Sequence, residues 1–76
     1  MDNLDEKAFL IAFGKNLRLL RKARALTQEE LANELDIEIS QISRIERGVI
    51  NTSISNCNKI SQVLKISLAD LFTIKG

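Results

Sequence analysis

The sequence contains no proline, tryptophan, tyrosine or histidine, and it has only three glycines and one cysteine. Without histidine, the chain lacks the usual general base, the commonest metal ligand and the side chain that titrates near neutral pH. A single cysteine, Cys57, can form neither an internal disulfide nor a thiolate metal cluster, which fits a reducing cytoplasm. These absences argue against an enzyme, against a secreted disulfide-dependent fold and against any bound cofactor.

Long hydrophobic runs are also missing, because no apolar stretch extends beyond a few residues. The sequence therefore predicts no membrane-spanning helix and no contact with a membrane. Residues 1–6 include three acids and no base, whereas a signal peptide would begin with basic residues. Both features favour a cytoplasmic protein.

The composition that remains is that of a small helical protein. The 76 residues are 45% apolar and 28% charged, a balance typical of one globular domain over residues 1–76. A proline-free chain rich in Leu, Ile, Ala, Glu, Lys and Arg favours helices joined by short turns. A domain of this size buries only about 60% of the surface that its unfolded chain exposes. Its core is therefore small, and association with another molecule would add to its stability.

Charge is distributed in blocks along the chain, although the net charge is only +1. Residues 15–25 carry +5 with no acid, and residues 26–38 carry −5 with no base. Separated blocks of this kind can place opposite fields on different faces of a protein. The alternative is that each block is simply a solvated helix surface.

Apolar spacing predicts five helices and no strand. They occupy residues 5–25, 28–35 and about 38–47, and the segments that follow the capping residues Ser53 and Ser67. The first segment is one helix, or two that meet at Gly14, because glycine costs roughly 1 kcal/mol relative to alanine inside a helix. The residues predicted to face inward in the first four helices are Phe13, Leu17, Leu20, Leu31, Ala32, Leu35, Ile42, Ile45, Cys57, Ile60, Val63 and Leu64.

The second and third helices form a closely connected pair. Thr27 and Glu30 have the spacing of a capping box, which starts the second helix at Gln28. The turn over residues 36–37 is short, and Ala32 must be small because the third helix crosses close to it. Apolar residues on one side of the third helix dock it and leave its other side free. A helix held in this way fits the DNA major groove, which is about 12 Å wide.

Four stretches of the sequence resemble the XRE family of helix-turn-helix domains, whose fold is that of the lambdoid phage repressors and Cro. They lie within residues 17–72, a segment that makes up about three quarters of the chain. The four stretches are Leu17-Arg18-Leu19-Leu20-Arg21, Leu26-Thr27-Gln28-Glu29-Glu30-Leu31-Ala32, Ile42-Ser43-Arg44-Ile45-Glu46-Arg47-Gly48 and Leu64-Lys65-Ile66-Ser67-Leu68-Ala69-Asp70-Leu71-Phe72. The resemblance implies an all-α, compact five-helix bundle of the lambda-repressor type, with residues 1–12 as an N-terminal extension.

The resemblance also implies contacts between the third helix and DNA bases. The matching positions are Ile39, Ser40, Gln41 and Arg44. Arg44 is the strongest candidate, because a guanidinium can bind guanine O6 and N7 together. Gln41 would pair with adenine or contact the backbone, Ser40 would contact a base edge or a phosphate, and Ile39 would contact a thymine methyl. The alternative for the polar residues is ordinary solvation on an exposed helix.

A second group of residues is implied to contact phosphates, which position the protein on DNA without carrying sequence information. Gln28 matches a family residue that hydrogen-bonds a phosphate. Arg47 and Asn51, at and after the end of the third helix, are further candidates. Lys15 and Arg18 in the basic block are candidates as well, unless that block is only a solvated face.

Two residues of opposite charge are assigned to structure and not to DNA. Arg21 and Glu46 match positions that form a partly buried ion pair in the phage-repressor branch of the family. This pair would tie the first helix to the end of the third.

Three positions depart from the family pattern. Asp36 stands where the turn usually has glycine, and Thr52 replaces a common proline. Glu38 stands where Ser, Thr or Asp commonly caps the third helix. Its carboxylate would be repelled by phosphates, so it either turns away or accepts from a cytosine amino group.

A dimer is expected, because a single module of this kind buries little DNA surface. The sequence shows no separate oligomerisation domain, so the interface would come from the domain itself. We predict that the fourth and fifth helices supply it, with the apolar candidates Ile50, Ile54, Leu68 and Ile74. The N-terminal extension, with Leu4, Phe9 and Leu10, is the alternative.

The resulting functional prediction is a sequence-specific transcriptional regulator of bacterial or phage type that binds double-stranded DNA. The sequence of this chain does not distinguish a restriction–modification controller protein from a small phage repressor or an antitoxin. The alternative from another class is a protein-interaction module of the same fold with weak or no DNA binding, which the acidic second helix and Glu38 favour. No sensor domain is present in the sequence, so no small-molecule effector is expected.

Overall fold

The computed structural model describes residues 5–74, and these residues form five α-helices without a β-strand. The helices are α1 (Glu6–Ala23), α2 (Gln28–Leu35), α3 (Ile39–Glu46), α4 (Ile54–Leu64) and α5 (Leu68–Leu71). The predicted all-α, five-helix class is confirmed. Over residues 5–74, no helix has both the length and the apolar character that crossing a membrane requires.

α1 is one continuous helix through Gly14. It begins because the Asp5 carboxylate accepts a hydrogen bond from the backbone amide of Ala8 at 2.7 Å. The part of the predicted N-terminal extension over residues 6–12 is therefore helical. Of the three apolar residues named there, Leu4 lies outside the described residues.

Gly14 is required by a close approach of α1 to the end of α3. A Cβ atom on Gly14 would overlap the backbone carbonyl oxygens of Ile45 and Glu46. Neither oxygen belongs to a flexible side chain, so the two helices would have to separate to make room. Gly14 therefore allows the two helices to pack closely and does not break α1.

We expect the substitution Gly14→Ala to destabilise the protein, although alanine is the better helix former. The loss should be about 1–3 kcal/mol, the usual consequence of adding a methyl group to a close-packed contact. Urea unfolding followed by circular dichroism measures it. Lys15→Ala, at the neighbouring exposed position, is the control and should change stability little; a stabilising effect of Gly14→Ala would contradict the observed contact.

The core lies where α1 to α4 meet, with one residue from α5. The buried apolar residues are Phe13, Leu17, Leu31, Ala32, Leu35, Ile42, Ile45, Cys57, Ile60, Leu64 and Leu71. Leu20 and Val63, predicted to face inward, are half-buried and pack against the edge of this cluster. Burial raises the pKa of the Cys57 thiol, which suits its role as a small apolar side chain.

α2 begins at the predicted capping box. The Thr27 hydroxyl accepts from the amide of Glu30 at 3.0 Å, and the Glu30 carboxylate accepts from the amide of Thr27 at 2.9 Å. Hydrogen bonds from the backbone and side chain of Thr27 lower the pKa of the Glu30 carboxyl. α2 ends at Leu35, and its C-cap residue Asp36 adopts the left-handed conformation with φ 57°.

We expect Asp36→Gly to stabilise the protein, because a left-handed residue with a Cβ atom is strained and glycine is not. The gain should be about 0.5–1 kcal/mol, which is less than the strain relieved because glycine loses more backbone freedom on folding. Asn33→Gly, at an exposed position inside α2, is the control and should lower stability by about 1 kcal/mol. Thermal melting of both variants compares them, and a loss in Asp36→Gly would show that the aspartate side chain stabilises the turn.

Candidate nucleic-acid interface

α3 is held against the body of the protein by one side only. Ile42 and Ile45 are buried in the core, as the spacing predicted. The structure places the four candidates for base contacts on the exposed part of the same helix. They are Ile39, Ser40, Gln41 and Arg44. The described chain therefore leaves this side of α3 open to another molecule.

The N-terminal end of α3 is capped by one of these four residues. The side-chain oxygen Oε1 of Gln41 accepts a hydrogen bond from the backbone amide of Glu38 at 3.2 Å. Glu38 is the residue before the helix, and its carboxylate is exposed near the positive end of the helix dipole. Gln41 thus has a structural contact that sequence reasoning missed, although a Gln three residues after the cap is a signal for it.

The candidates for phosphate contacts lie in different parts of the surface. Gln28 is the first residue of α2 and is half-buried, whereas Arg47 and Asn51 are exposed just after α3. The Nε atom of Arg47 donates to the backbone oxygen of Ser43 at 3.3 Å.

The two basic candidates on α1 are both exposed. Lys15 lines a shallow groove between α1 and α5, together with Leu19 and Asp70. The structure therefore places Lys15 beside α5. Arg18 is exposed on α1 one turn further along.

A buried polar network joins α1, α2 and α3. Arg21 and Glu46 are each only 6% exposed. The Arg21 Nε atom lies 2.6 Å from Glu46 Oε2, and its Nη2 atom donates to Glu46 Oε1 at 3.0 Å. Arg21 Nη1 also donates to the backbone oxygen of Leu26 at 2.7 Å, and Gln28 Nε2 donates to Glu46 Oε1 at 3.0 Å. The structure brings together the two residues assigned to an ion pair and adds two partners.

The contact between Gln28 and Glu46 was missed by sequence reasoning. The two residues are 18 positions apart, and no local motif relates them. Only the packing of α2 against α3 brings the first residue of one helix to the last residue of the other.

The four candidates for a dimer interface differ in exposure. Ile54 is 83% exposed and Leu68 is 41% exposed. Ile50 and Ile74 are half-buried and pack against the core of their own chain. Among the alternative candidates, Phe9 is exposed and Leu10 is half-buried. Among the described residues, and apart from the base-contact candidate Ile39, three exposed large apolar residues were not named from the sequence as dimer-interface candidates: Leu19, Val49 and Phe72.

Comparison with known proteins gives matches over most of the chain. A family model described as "Helix-turn-helix" matches residues 17–71. Control protein C.MunI of Mycoplasma sp is 42% identical over 64 residues, which are 83% of this chain and 86% of the relative. Control protein C.BamHI of Bacillus amyloliquefaciens is 41% identical over 69 residues, which are 87% of this chain and 85% of the relative.

Solved structures share the same fold. The restriction-modification controller protein C.AhdI from Aeromonas hydrophila is 40% identical, with a TM-score of 0.79 over 83% of this chain and 96% of the other. The clp gene regulator ClgR from Corynebacterium glutamicum is 28% identical, with a TM-score of 0.82 over 88% of this chain and 71% of the other. The arrangement of α2 and α3 is thus one that control proteins and gene regulators share.

Proposed function

This chain belongs to the XRE-type helix-turn-helix family of DNA-binding transcription regulators, and on that premise we propose that it binds a near-palindromic operator as a homodimer. The observation that carries the proposal is the open side of α3. Ile42 and Ile45 pack one side of this helix into the core, while Arg44 lies exposed in its last turn. A rigid helix with one free side is what insertion into the major groove requires.

Recognition of the operator would combine contacts to base edges with contacts to phosphates. Arg44 would donate two hydrogen bonds to a guanine, and Ile39, Ser40 and Gln41 would contact neighbouring base edges or, for the polar two, the backbone. Around them, phosphates would be contacted by Gln28, Arg47 and Asn51, with Arg18 and Lys15 further away on α1. The phosphate contacts supply affinity and register, and the base contacts supply sequence preference.

Dimerisation would place two copies of α3 about one DNA turn, roughly 34 Å, apart. Ile54 and Leu68, on α4 and α5, supply exposed apolar surface for a two-fold contact. Ile50 and Ile74 would support this surface from the core side. Sedimentation of the purified protein tests the dimer, and a strict monomer at high micromolar concentration would exclude it.

A restriction–modification controller is the best-supported form of this proposal. Control proteins C.MunI and C.BamHI match this chain over most of both lengths, and C.AhdI shares its fold. Such a regulator would act in the cytoplasm, where it meets DNA. The test is genomic: the operator selected in the laboratory should lie upstream of a nuclease or methyltransferase gene in the source genome.

Electrophoretic mobility shifts at several salt concentrations test DNA binding itself. The probe is a duplex selected by this protein from a random-sequence pool, and the control is an unrelated duplex of equal length. The logarithm of the binding constant should fall linearly with the logarithm of salt, with a slope of about −0.9 for each neutralised phosphate. Absent binding, or binding that does not respond to salt, would favour the protein-interaction module, whose support is the exposed acidic surface of α2.

A further inference from the structure

The carboxylate of Glu46 has one more partner than its ion pair requires. Its Oε1 atom accepts from Arg21 Nη2 and from Gln28 Nε2, each at 3.0 Å, and its Oε2 atom accepts from Arg21 Nε. Gln28 is the first residue of α2, and Glu46 is the last residue of α3. The extra hydrogen bond therefore ties the end of the helix proposed to contact bases to a residue proposed to contact phosphate.

The chemistry of this contact fixes which way the Gln28 side chain faces. An ionised carboxylate only accepts hydrogen bonds, so the carboxamide must turn its nitrogen toward Glu46. Nε2 carries two hydrogens, and Glu46 takes one of them. Among the described residues, no other side chain or backbone group pairs with this amide, so the second hydrogen is available to a ligand. A phosphate oxygen, which also only accepts, is the matching group.

The ion pair makes this arrangement compatible with DNA. An uncompensated carboxylate beside phosphates would repel them, but the Arg21 guanidinium binds both oxygens of Glu46 within a site from which water is nearly excluded. The Glu46 charge is thereby balanced inside the protein. At the surface, the network exposes the uncharged amide of Gln28, which is already oriented before DNA binds.

We infer that Glu46 is a positioning residue for DNA binding: it holds the Gln28 carboxamide in the orientation that donates to a phosphate. This inference rests on the proposed function and names a role for a residue that touches no DNA. Because Gln28 is already held in one orientation, it loses little side-chain entropy when DNA binds. An unrestrained glutamine would lose that entropy on binding, which would weaken the affinity.

A double-mutant cycle on DNA affinity tests the inference, with Gln28→Ala, Glu46→Gln and the double variant. Glu46→Gln keeps the side-chain size and an oxygen that accepts from Arg21, but it no longer obliges Gln28 to present its nitrogen. Gln28→Ala should weaken binding roughly three- to tenfold on both the selected and the unrelated duplex, because the contact is to phosphate. Gln62→Ala, at an exposed glutamine of α4, is the matched control and should bind like the unmodified protein.

The coupling free energy between the two substitutions distinguishes a positioning role of Glu46 from a purely structural one. If Glu46 acts through Gln28, Glu46→Gln weakens binding when Gln28 is present and has little further effect when residue 28 is alanine. The positive charge that this variant leaves on Arg21 acts equally in both backgrounds and cancels from the comparison. An equal effect of Glu46→Gln in both backgrounds overturns the inference while leaving the proposed function intact. Absence of salt-sensitive binding by the unmodified protein overturns the proposed function and the inference with it.

A measurement on the unmodified chain avoids any dependence on how the variants fold. NMR relaxation of side-chain amide groups compares the Gln28 amide with that of Gln62 in the absence of DNA. The Gln28 amide should be restricted on the nanosecond timescale, and the exposed Gln62 amide should be mobile. Equal mobility of the two would show that Glu46 does not hold Gln28, and the inference would fail.

Discussion

Replacing Glu46 with alanine is expected to lower the melting temperature by more than about 10 °C, because the substitution removes about 3–5 kcal/mol of stability. The loss comes from the partner left behind. In Glu46→Ala the Arg21 guanidinium stays in a site where its side chain is only 8% exposed, with the backbone oxygen of Leu26 as its remaining partner. Gln28 also loses its hydrogen bond. A buried charge without its counter-charge is among the most destabilising changes that one substitution can make.

Two control variants separate this cause from a general effect of changing α3. Arg44→Ala alters an exposed residue of the same helix and should change stability by no more than about 0.5 kcal/mol. The double variant Arg21→Met with Glu46→Leu replaces the pair by apolar side chains and should recover most of the stability, since no buried charge remains. Equal melting temperatures for Glu46→Ala and Arg44→Ala would refute the prediction.

Arg44→Ala is expected to have its large effect on sequence preference instead. A bidentate contact between arginine and guanine contributes about 1–3 kcal/mol of discrimination against the wrong base. Two copies of α3 on a palindrome would double that free energy, so preference for the selected operator should fall roughly 30-fold or more. Binding to unrelated duplex should fall much less, because only one of several positive charges per subunit is lost.

Competition between the selected and the unrelated duplex measures this ratio directly. Arg44→Lys is the matched variant, since it keeps the charge but removes the planar group that binds O6 and N7 together. It should retain affinity for unrelated DNA and lose preference for the operator, as Arg44→Ala does. If the ratio of the two affinities is unchanged in both variants, Arg44 does not contact a base.

Much of the fold was predictable because it depends on local rules. The capping residues Thr27, Ser53 and Ser67 start helices where the sequence predicts, since each side chain satisfies a backbone amide three residues away. Period-3.6 apolar spacing identified Ile42 and Ile45 as the buried side of α3. These signals need only the identities of residues within one or two helical turns.

Gly14 shows where local rules give an incomplete prediction. Its low helix propensity suggested a break, but the backbone carbonyls at the end of α3 lie where its Cβ atom would be. These carbonyls come from residues more than 30 positions away in the chain, so no pattern around Gly14 reveals them.

The candidate DNA contacts follow a similar division. Sequence and resemblance together named the residues on the outside of α3, because the buried side of a helix defines its exposed side. The sequence by itself determined the helices, the caps of α2, α4 and α5 and the existence of a helix-turn-helix pair. Tertiary structure decided that Gln28 meets Glu46, that Lys15 lies beside α5 and that Ile50 packs on its own core. Each of these depends on how separate helices pack in space, and side-chain spacing along one helix does not contain that information.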